Sequence, residues 1–218
     1  MNAAATQTEH WRDLDRAHHV HPFMDPKIIA AKGARVIVRG EGSCIWDSDG
    51  NRILDGMAGL WCVNVGYGRR ELVEAATRQL ETLPYYNTFW QTSTPSQIEL
   101  ADCLSRLVPP GIGHFFYANS GSEAADTVVR LARHYWQVAG KPAKQVFIGR
   151  TLGYHGSTLA AVSLGGMENM HKLGHSLLPG FAHIQHPHWY TQGAGLSPEE
   201  FGPAAARRLE AKILEIGA

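Results

Sequence analysis

The stretch FFYANSGSEAAD (Phe115–Asp126) places an apolar run directly before a turn of small polar residues. The run predicts a strand, and residues 122–140 predict a helix that ends at Gly140. The next apolar run, QVFIGR (145–150), predicts a second strand. This order predicts a βαβ unit with parallel strands and a right-handed crossover. Because ligands of such sheets bind beyond the carboxyl ends of the strands, we expect the loops after both strands to share one mouth.

The segments around this unit predict an α/β protein. Residues 34–56 alternate in polarity around an Asp-Gly turn, which predicts a small antiparallel meander or hairpin. Residues 1 to about 33 predict a poorly patterned arm. Helices are predicted over 69–83, 95–109, 157–166 and 197–218. In the last of these, Ser197 and Glu200 match a capping box, and Gly217 is placed to end the helix.

Composition excludes several classes of partner and compartment. The 218 residues include 20 basic and 20 acidic side chains without a run of like charges, which argues against nucleic acid or an anionic membrane surface as a partner. No apolar stretch approaches the length of a membrane span, and residues 1–15 lack the apolar core of a signal peptide. The three cysteines are widely spaced. A cytoplasmic protein is the expectation.

The turn Ser120–Ser122 has two interpretations. Ser120 with Glu123 fits a capping box, which is a purely structural role. A helix N-terminus also presents unpaired N–H groups and a partial positive charge, and Gly121 lets an anion approach the backbone. The hydroxyls of Ser120 and Ser122 add donors. The turn therefore predicts a helix cap that also suits a phosphate.

Aromatic side chains in loops give the second set of candidates. In GRTLGYHGST (149–158), glycines flank Tyr154 and His155, whose rings suit a planar aromatic phosphate ester held at the same mouth. Packing of Tyr154 in the core is the alternative. Trp61 lies in the Gly-rich stretch 55–68, and YYNTFWQTS (85–93) is dense in aromatic residues. Both stretches predict a pocket wall or a subunit contact, and burial explains Trp61 equally well.

The histidines and nucleophile motifs argue against two other kinds of chemistry. His171 and His175 share helical spacing, but no H-E-x-x-H pattern is present, so we expect no metal site. No G-x-S-x-G turn supports a serine hydrolase.

The ordered set NSGSEAADT, GYHGST and DGMAGLWCVNVGYG resembles the class III (ω-type) pyridoxal-phosphate-dependent aminotransferases, and most resembles the ω-amino acid or amine:pyruvate transaminases. The motifs HHVHPF, YYNTFWQTS, SLGGMENMHK and EEFGPAAARRLEAKILEIG fit the same subgroup. The resemblance implies a fold-type-I PLP-transferase with an N-terminal arm and small-domain segment over residues 1–70. Residues 71–218 would form the first half of the large, cofactor-binding domain.

The resemblance also implies roles for individual residues. The cofactor-binding residues for pyridoxal 5'-phosphate would be Ser120, Gly121, Ser122, Tyr154, His155 and Gly156, with Tyr154 stacked on the pyridine ring. The substrate pocket would be formed by Phe23, Trp61, Phe89 and Tyr154, with Phe89 reaching across a homodimer interface. Ala125 departs from the Asn often found in the family and is expected to affect helix packing only.

An absence limits these expectations. The family places its Schiff-base lysine and the acid that protonates the pyridine nitrogen later in the chain. None of the six lysines, at positions 27, 32, 141, 144, 172 and 212, has the matching context. The chain therefore resembles the N-terminal half of an enzyme that transfers an amino group from an amine or ω-amino acid to pyruvate or a similar keto acid. We expect it to be inactive alone. We also expect it to expose apolar faces and an open sheet edge. It would be a fragment, a non-catalytic paralogue or half of a split enzyme that associates with another aminotransferase chain.

Overall fold

The computed structural model describes residues 3–174 and 177–217 and divides into two compact units, Met1–Leu100 and Ala101–Ala218. The first unit contains α1 (Ala3–His18), α2 (Pro26–Lys32), β1 (Ile37–Glu41), β2 (Cys44–Asp47), β3 (Arg52–Leu54), α3 (Ala58–Trp61) and α4 (Arg70–Thr82), and α5 (Pro95–Ser105) crosses the division. The second unit contains α6 (Gly121–Val138), β4 (Phe147–Arg150), α7 (Leu159–Leu164), α8 (Glu168–Gly174), β5 (Phe181–Ile184), α9 (Trp189–Gln192) and α10 (Pro198–Ile216). The predicted domain boundary at residue 70 stays a prediction.

The predicted antiparallel meander is confirmed. Its strand order is β1-β2-β3, and Trp46 lies opposite Arg39 on one neighbour and Arg52 on the other. Their guanidinium carbons lie 4.2 and 5.8 Å from the centre of the indole ring. These cross-strand cation–π contacts stabilise the face of the sheet that carries Trp46.

The turn between β2 and β3 is held by a buried carboxylate. Asp47 is only 3% exposed and accepts the backbone N–H of Asn51 at 2.8 Å and that of Asp49 at 3.2 Å. The side-chain amide of Asn51 donates to both of its oxygens. Because these donors all point at one side chain, the turn depends on the carboxylate.

The N-terminal arm, for which the sequence predicted no regular element, is helical over residues 3–18 and 26–32. Thr8 is the one buried side chain of α1 among those described, and its hydroxyl donates to the carbonyl of Ser48 at 3.0 Å. Arg12 donates to the carbonyl of Ala34 and pairs with Asp49 at 2.6 Å. Polar contacts therefore hold α1 on the meander. A helix docked in this way needs no apolar stripe, so its sequence lacks the hydrophobic periodicity that predicts a helix.

The Gly-rich stretch after the meander forms a left-handed turn. Residues 58–61 all have φ between +48° and +66°, a conformation that costs L-residues about 1–2 kcal/mol each. The carboxylate of Asp55 stabilises this turn by accepting the N–H of Gly59 and the hydroxyl of Tyr67, both at 2.7 Å. The hydroxyl of Tyr67 is the main cause that lowers the pKa of Asp55, and the carboxylate raises the pKa of Tyr67 in return.

The parallel strands of the second unit are β4 and β5, which pair from Phe147 with Phe181 to Arg150 with Ile184. β4 was predicted, whereas β5 was not. The strand predicted at 114–119 is wrong, since residues 112–118 join no ladder within the described part of the chain. Phe115 and Tyr117 are half-buried and Phe116 is exposed, so the alternation is real, although the segment forms no strand within the described ranges. The βαβ unit therefore lies one strand later than predicted, through α7 and α8.

Side-chain contacts fix the direction of α6 relative to β4. Arg133, in the second half of α6, lies 5.6 and 5.8 Å from the rings of Phe147 and Phe181, which begin the two strands. Ser122, in the first turn of α6, bonds to Ser157 in the loop after β4. The helix therefore runs antiparallel to β4, and its N-terminus lies at the carboxyl end of the strand.

Glycine makes a close approach of α7 possible. A side chain on Gly149 of β4 would lie 2.1 Å from the carbonyl oxygen of Leu164, and one on Gly166 would lie 2.2 Å from that of Arg150. The loop after β4 is therefore packed directly against the end of α7.

The predicted helices α4, α5, α6, α7 and α10 are confirmed. In α10 both bonds of the capping box between Ser197 and Glu200 are formed, and Gly217 adopts the left-handed conformation with φ +85°. His175 lies outside the described residues. No helix in the described ranges combines the length and apolar character needed to cross a bilayer.

Replacement of Asp47 by alanine is expected to destabilise the first unit by about 2–3 kcal/mol, because buried N–H donors lose their acceptor. Urea unfolding followed by tryptophan fluorescence measures this. Asp13→Ala removes an exposed partner of Arg16 and should cost less than about 1 kcal/mol. Equal losses in the two variants would contradict this account of the turn.

Acid is expected to weaken the turn that Asp55 holds. The folded pKa of Asp55 lies below its ordinary value of 3.8, so its stabilisation is present above that value and is lost as pH falls through the folded pKa. The difference in unfolding free energy between the native chain and Asp55→Asn should be constant near neutral pH and shrink in acid. Glu81→Gln, on the exposed surface of α4, is the control and should show no such trend. A difference in unfolding free energy that grows in acid would contradict this role of Asp55.

Candidate functional site

The N-terminus of α6 presents backbone donors to open space. Ser120 is the N-cap, and its hydroxyl oxygen accepts the N–H of Glu123 at 3.1 Å. The carboxylate of Glu123 accepts the N–H of Asn119 at 2.9 Å, so the expected return bond goes to the residue before the cap. Among the described residues, the N–H groups of Gly121 and Ser122 have no protein acceptor. A side chain built on Gly121 would meet nothing within 4 Å.

The loop that follows β4 packs against this helix end. The N–H of Ser157 donates to the hydroxyl oxygen of Ser122 at 2.9 Å. Gly156 is buried and has φ +127°, and a side chain there would lie 2.5 Å from the same oxygen and 2.7 Å from the Cα of Ser122. The expectation that the two loops share a mouth is met through this contact. Only glycine at position 156 allows it.

A second hydrogen bond joins the same two elements. The hydroxyl of Thr158 donates to Asp126 at 2.7 Å, one turn further along α6. Because Ser122 and Asp126 are four residues apart, they lie on one face of the helix. That face holds the end of the loop, residues 156–158.

The other end of the loop is fixed to the sheet and to α7. The hydroxyl of Thr151 accepts the N–H of His186 at 3.0 Å, just beyond the end of β5. Leu152 and Gly166 are joined by a backbone bond of 2.9 Å, and the N–H of Gly166 donates to Gly153 at 2.9 Å. With both ends held, Tyr154 and His155 are exposed on a supported loop.

The chemistry of this helix end fits a phosphate. It combines two open N–H groups, the positive end of an 18-residue helix and the hydroxyls of Ser120 and Ser122. Each of these hydroxyls already accepts one N–H, so its own proton is available for an anion. The absence of a side chain at Gly121 keeps the approach clear.

The residues predicted for a substrate pocket are divided between the units. Phe23, Trp61 and Phe89 belong to the first unit and Tyr154 to the second, and all four are more than half exposed. Trp61 ends the left-handed turn, and Phe23 also has a positive φ of 54°. Phe89 lies in a loop in which Asn87 accepts the N–H of Phe89 at 3.1 Å. Their shared pocket stays a prediction.

Several residues of the site were missed by sequence reasoning. Ser157, Thr158 and Asp126 supply the bonds that join the loop to α6, and Asp55 stabilises the turn that carries Trp61. The repeat of small hydroxyl residues in HGST and the i, i+4 spacing of Ser122 and Asp126 were available signals. For Asp55, the only signal in the sequence was its position before a glycine.

Sequence and structure comparisons find the same kind of protein. The sequence model described as "Aminotransferase class-III" matches residues 29–213. The chain is 56% identical to a putrescine–pyruvate aminotransferase of Pseudomonas aeruginosa over all of its own length and 48% of that protein. It superposes with a TM-score of 0.92 and 39% identity on an (S)-enantioselective omega-transaminase from Thermomicrobium roseum, covering 100% of this chain and 47% of that one. It also superposes with a TM-score of 0.91 and 39% identity on an omega-transaminase from Pseudomonas jessenii in complex with PMP, covering 94% of this chain and 46% of that one.

The chain thus spans about half the length of the relatives it matches. The family match extends over most of its residues, from α2 in the first unit to α10 in the second. By its sequence and its fold, the chain belongs to the class III aminotransferase family.

Proposed function

We propose that this chain forms the cofactor-holding part of an aminotransferase that uses pyridoxal 5'-phosphate. The reaction would move an amino group between an amine or ω-amino acid and pyruvate or a similar keto acid. The observation that carries the proposal is the contact of Ser122 at the start of α6 with Ser157 in the loop that displays Tyr154. The putrescine–pyruvate aminotransferase and the omega-transaminase with PMP support the substrate class and the cofactor.

The phosphate would bind at the start of α6. The N–H groups of Gly121 and Ser122 would donate to its oxygens, and the hydroxyls of Ser120 and Ser122 would add two further donors. Gly156 would contribute by allowing the loop to close on the helix end.

The flat ring of the cofactor would lie against the loop 153–158. Tyr154 would stack on the ring, and His155 would border it. When bound, pyridoxal phosphate supplies an electron sink for the charge that develops on the substrate carbon. The protein's part here is to orient that ring, and the bonds of Thr151 and Thr158 keep the loop in place while it does so.

The substrate would enter past aromatic side chains. We propose that Trp61 and Tyr154 line the pocket, with Phe23 from the segment between α1 and α2. Phe89 would come from the second subunit of a homodimer, and the enzyme would act in the cytoplasm. The strained turn at 58–61 supports a role for Trp61, since costly backbone conformations persist where they position a functional side chain.

The proton-transfer residues would be supplied by a longer or complementary aminotransferase chain. In the described part of the second unit, lysines lie between α6 and β4 and in α8 and α10, and none lies in the loop directly after β4 or β5. The alternative is a non-catalytic chain that pairs with another aminotransferase. The exposed aromatic residues Tyr85, Tyr86, Phe89 and Trp90 favour association in either case.

The purified 218-residue chain is expected to show no pyruvate-dependent turnover of putrescine, because it lacks the lysine that would exchange the proton. Turnover is measured as alanine formed with pyridoxal phosphate present, in a preparation whose intact mass excludes a longer form. Any alanine above the buffer control refutes the expectation. Mixing with a separately expressed second half of a relative should restore turnover, and failure to do so despite binding favours the non-catalytic alternative.

Gly156→Ala is expected to weaken binding of pyridoxal phosphate by at least about 10-fold, equivalent to ~1.4 kcal/mol. The added carbon would clash with Ser122 and strain a positive φ, so the loop would leave the helix end. Equilibrium dialysis of the full chain gives the affinity. Gly113→Ala is the matched control, because a side chain there meets nothing within 4 Å. Equal affinities, or no binding by the native chain, would rule out this cofactor site.

A further inference from the structure

A compact cluster of nitrogen and oxygen ligands lies at the end of α1, in the first unit. Nδ1 of His19 is 2.9 Å from Oδ1 of Asp15, and Nε2 of His21 is 2.8 Å from Oδ2 and 3.0 Å from Oδ1 of the same carboxylate. The three candidate ligand atoms all lie within 4.8 Å of one another. In a tetrahedral complex with metal–ligand bonds of about 2.0–2.2 Å, neighbouring ligand atoms are about 3.3–3.6 Å apart. A small movement would therefore bring all three onto one ion.

The backbone holds these side chains in place. Asp15 and His19 are four residues apart, and the N–H of His19 donates to the carbonyl of Asp15 at 2.9 Å, which continues the helical turn. The contacts of Thr8 and Arg12 with the meander anchor the helix that carries Asp15. His21 precedes the segment that leads to α2, whose N-cap is Asp25. The cluster is formed by folded backbone on both sides.

The charges around the cluster favour a cation. The carboxylate of Asp15 supplies an anionic ligand that already contacts both imidazoles. The C-terminal end of a 16-residue helix adds partial negative charge. Arg16 lies near the site and opposes this, but it is paired with Asp13.

The ligand types select the class of ion. Two imidazole nitrogens and one carboxylate suit borderline divalent transition ions such as Zn²⁺, whereas Mg²⁺ and Ca²⁺ prefer oxygen ligands. Each imidazole would bind through its lone pair and keep its proton on the other ring nitrogen. A cavity of about 130 Å³ adjoins both histidines and leaves room for water to complete the coordination.

We propose that Asp15, His19 and His21 bind one divalent transition ion, with Zn²⁺ as the reference ion. This differs from the expectation drawn from the sequence, where the absence of an H-E-x-x-H pattern predicted no metal site. The proposal is independent of the cofactor site. Because Phe23 lies two residues after His21, the ion would also fix the segment that carries Phe23.

Calorimetric titration of the full chain with Zn²⁺ at neutral pH, without a polyhistidine tag, tests the site. The native chain is expected to bind one equivalent more tightly than the background of its 12 histidines. His19→Ala, His21→Ala and Asp15→Asn should each weaken that equivalent by at least about 10-fold, since loss of even an outer partner of a ligand costs 10–100-fold. His18→Ala is the matched control, an exposed neighbour outside the cluster, and should bind as the native chain does.

Two further measurements keep the result decisive. Visible absorption of bound Co²⁺ should appear in the native chain and in His18→Ala and be lost in His19→Ala. Because the side chain of His19 is exposed, the variant should fold, and circular dichroism will verify this. An excess of Mg²⁺ should not displace Zn²⁺. Identical titrations for all variants, no distinct first equivalent, or displacement by Mg²⁺ would each overturn the proposal and leave a hydrogen-bonded cluster only.

Discussion

The hydrogen bond between the N–H of Ser157 and the hydroxyl of Ser122 is the interaction on which the candidate site depends. It joins two residues that are 35 positions apart and brings the N-terminus of α6 next to a loop that carries Tyr154 and His155. The bond requires Gly156, because any side chain there would occupy the place of the Ser122 hydroxyl. The contact between the helix end and the loop therefore depends on the N–H of Ser157, the hydroxyl of Ser122 and the absence of a side chain at Gly156.

The position of this mouth follows from the direction of α6. A helix that connects to a parallel strand runs back along the sheet, so its positive end returns to the carboxyl edge of the strands. Arg133 over the rings that begin β4 and β5 fixes the far end of α6, and Ser122 fixes the near end. The fold therefore directs unpaired N–H groups towards the edge where ligands of such sheets bind, before any particular side chain is considered.

Sequence predicted the features that depend on neighbours in the chain. The Ser120 cap, the capping box at Ser197, the meander and the positions of five helices all follow from local residue order. Sequence reasoning failed where a distant partner decides the structure. FFYAN has the alternation of a strand but joins no ladder in the part of the chain that the structure describes, and β5 is a strand because β4 pairs with it. The clearance at Gly149 and Gly156, and the docking of α1 through polar contacts, are likewise properties of the folded neighbourhood.

Holding a cofactor and reacting through it place different demands on a protein. Holding requires open N–H groups, hydroxyls and a flat ring, which a helix end and a Gly-rich loop supply at little cost in desolvation, because the groups are neutral. Proton transfer requires an ionisable group within reach of the reacting atom, and the described carboxyl ends of β4 and β5 present no lysine. The groups proposed to meet the first demand lie within α6, β4 and their loops, so this part of the proposed site forms without the second. A chain that matches half the length of its relatives therefore contains the whole of the proposed phosphate-binding geometry.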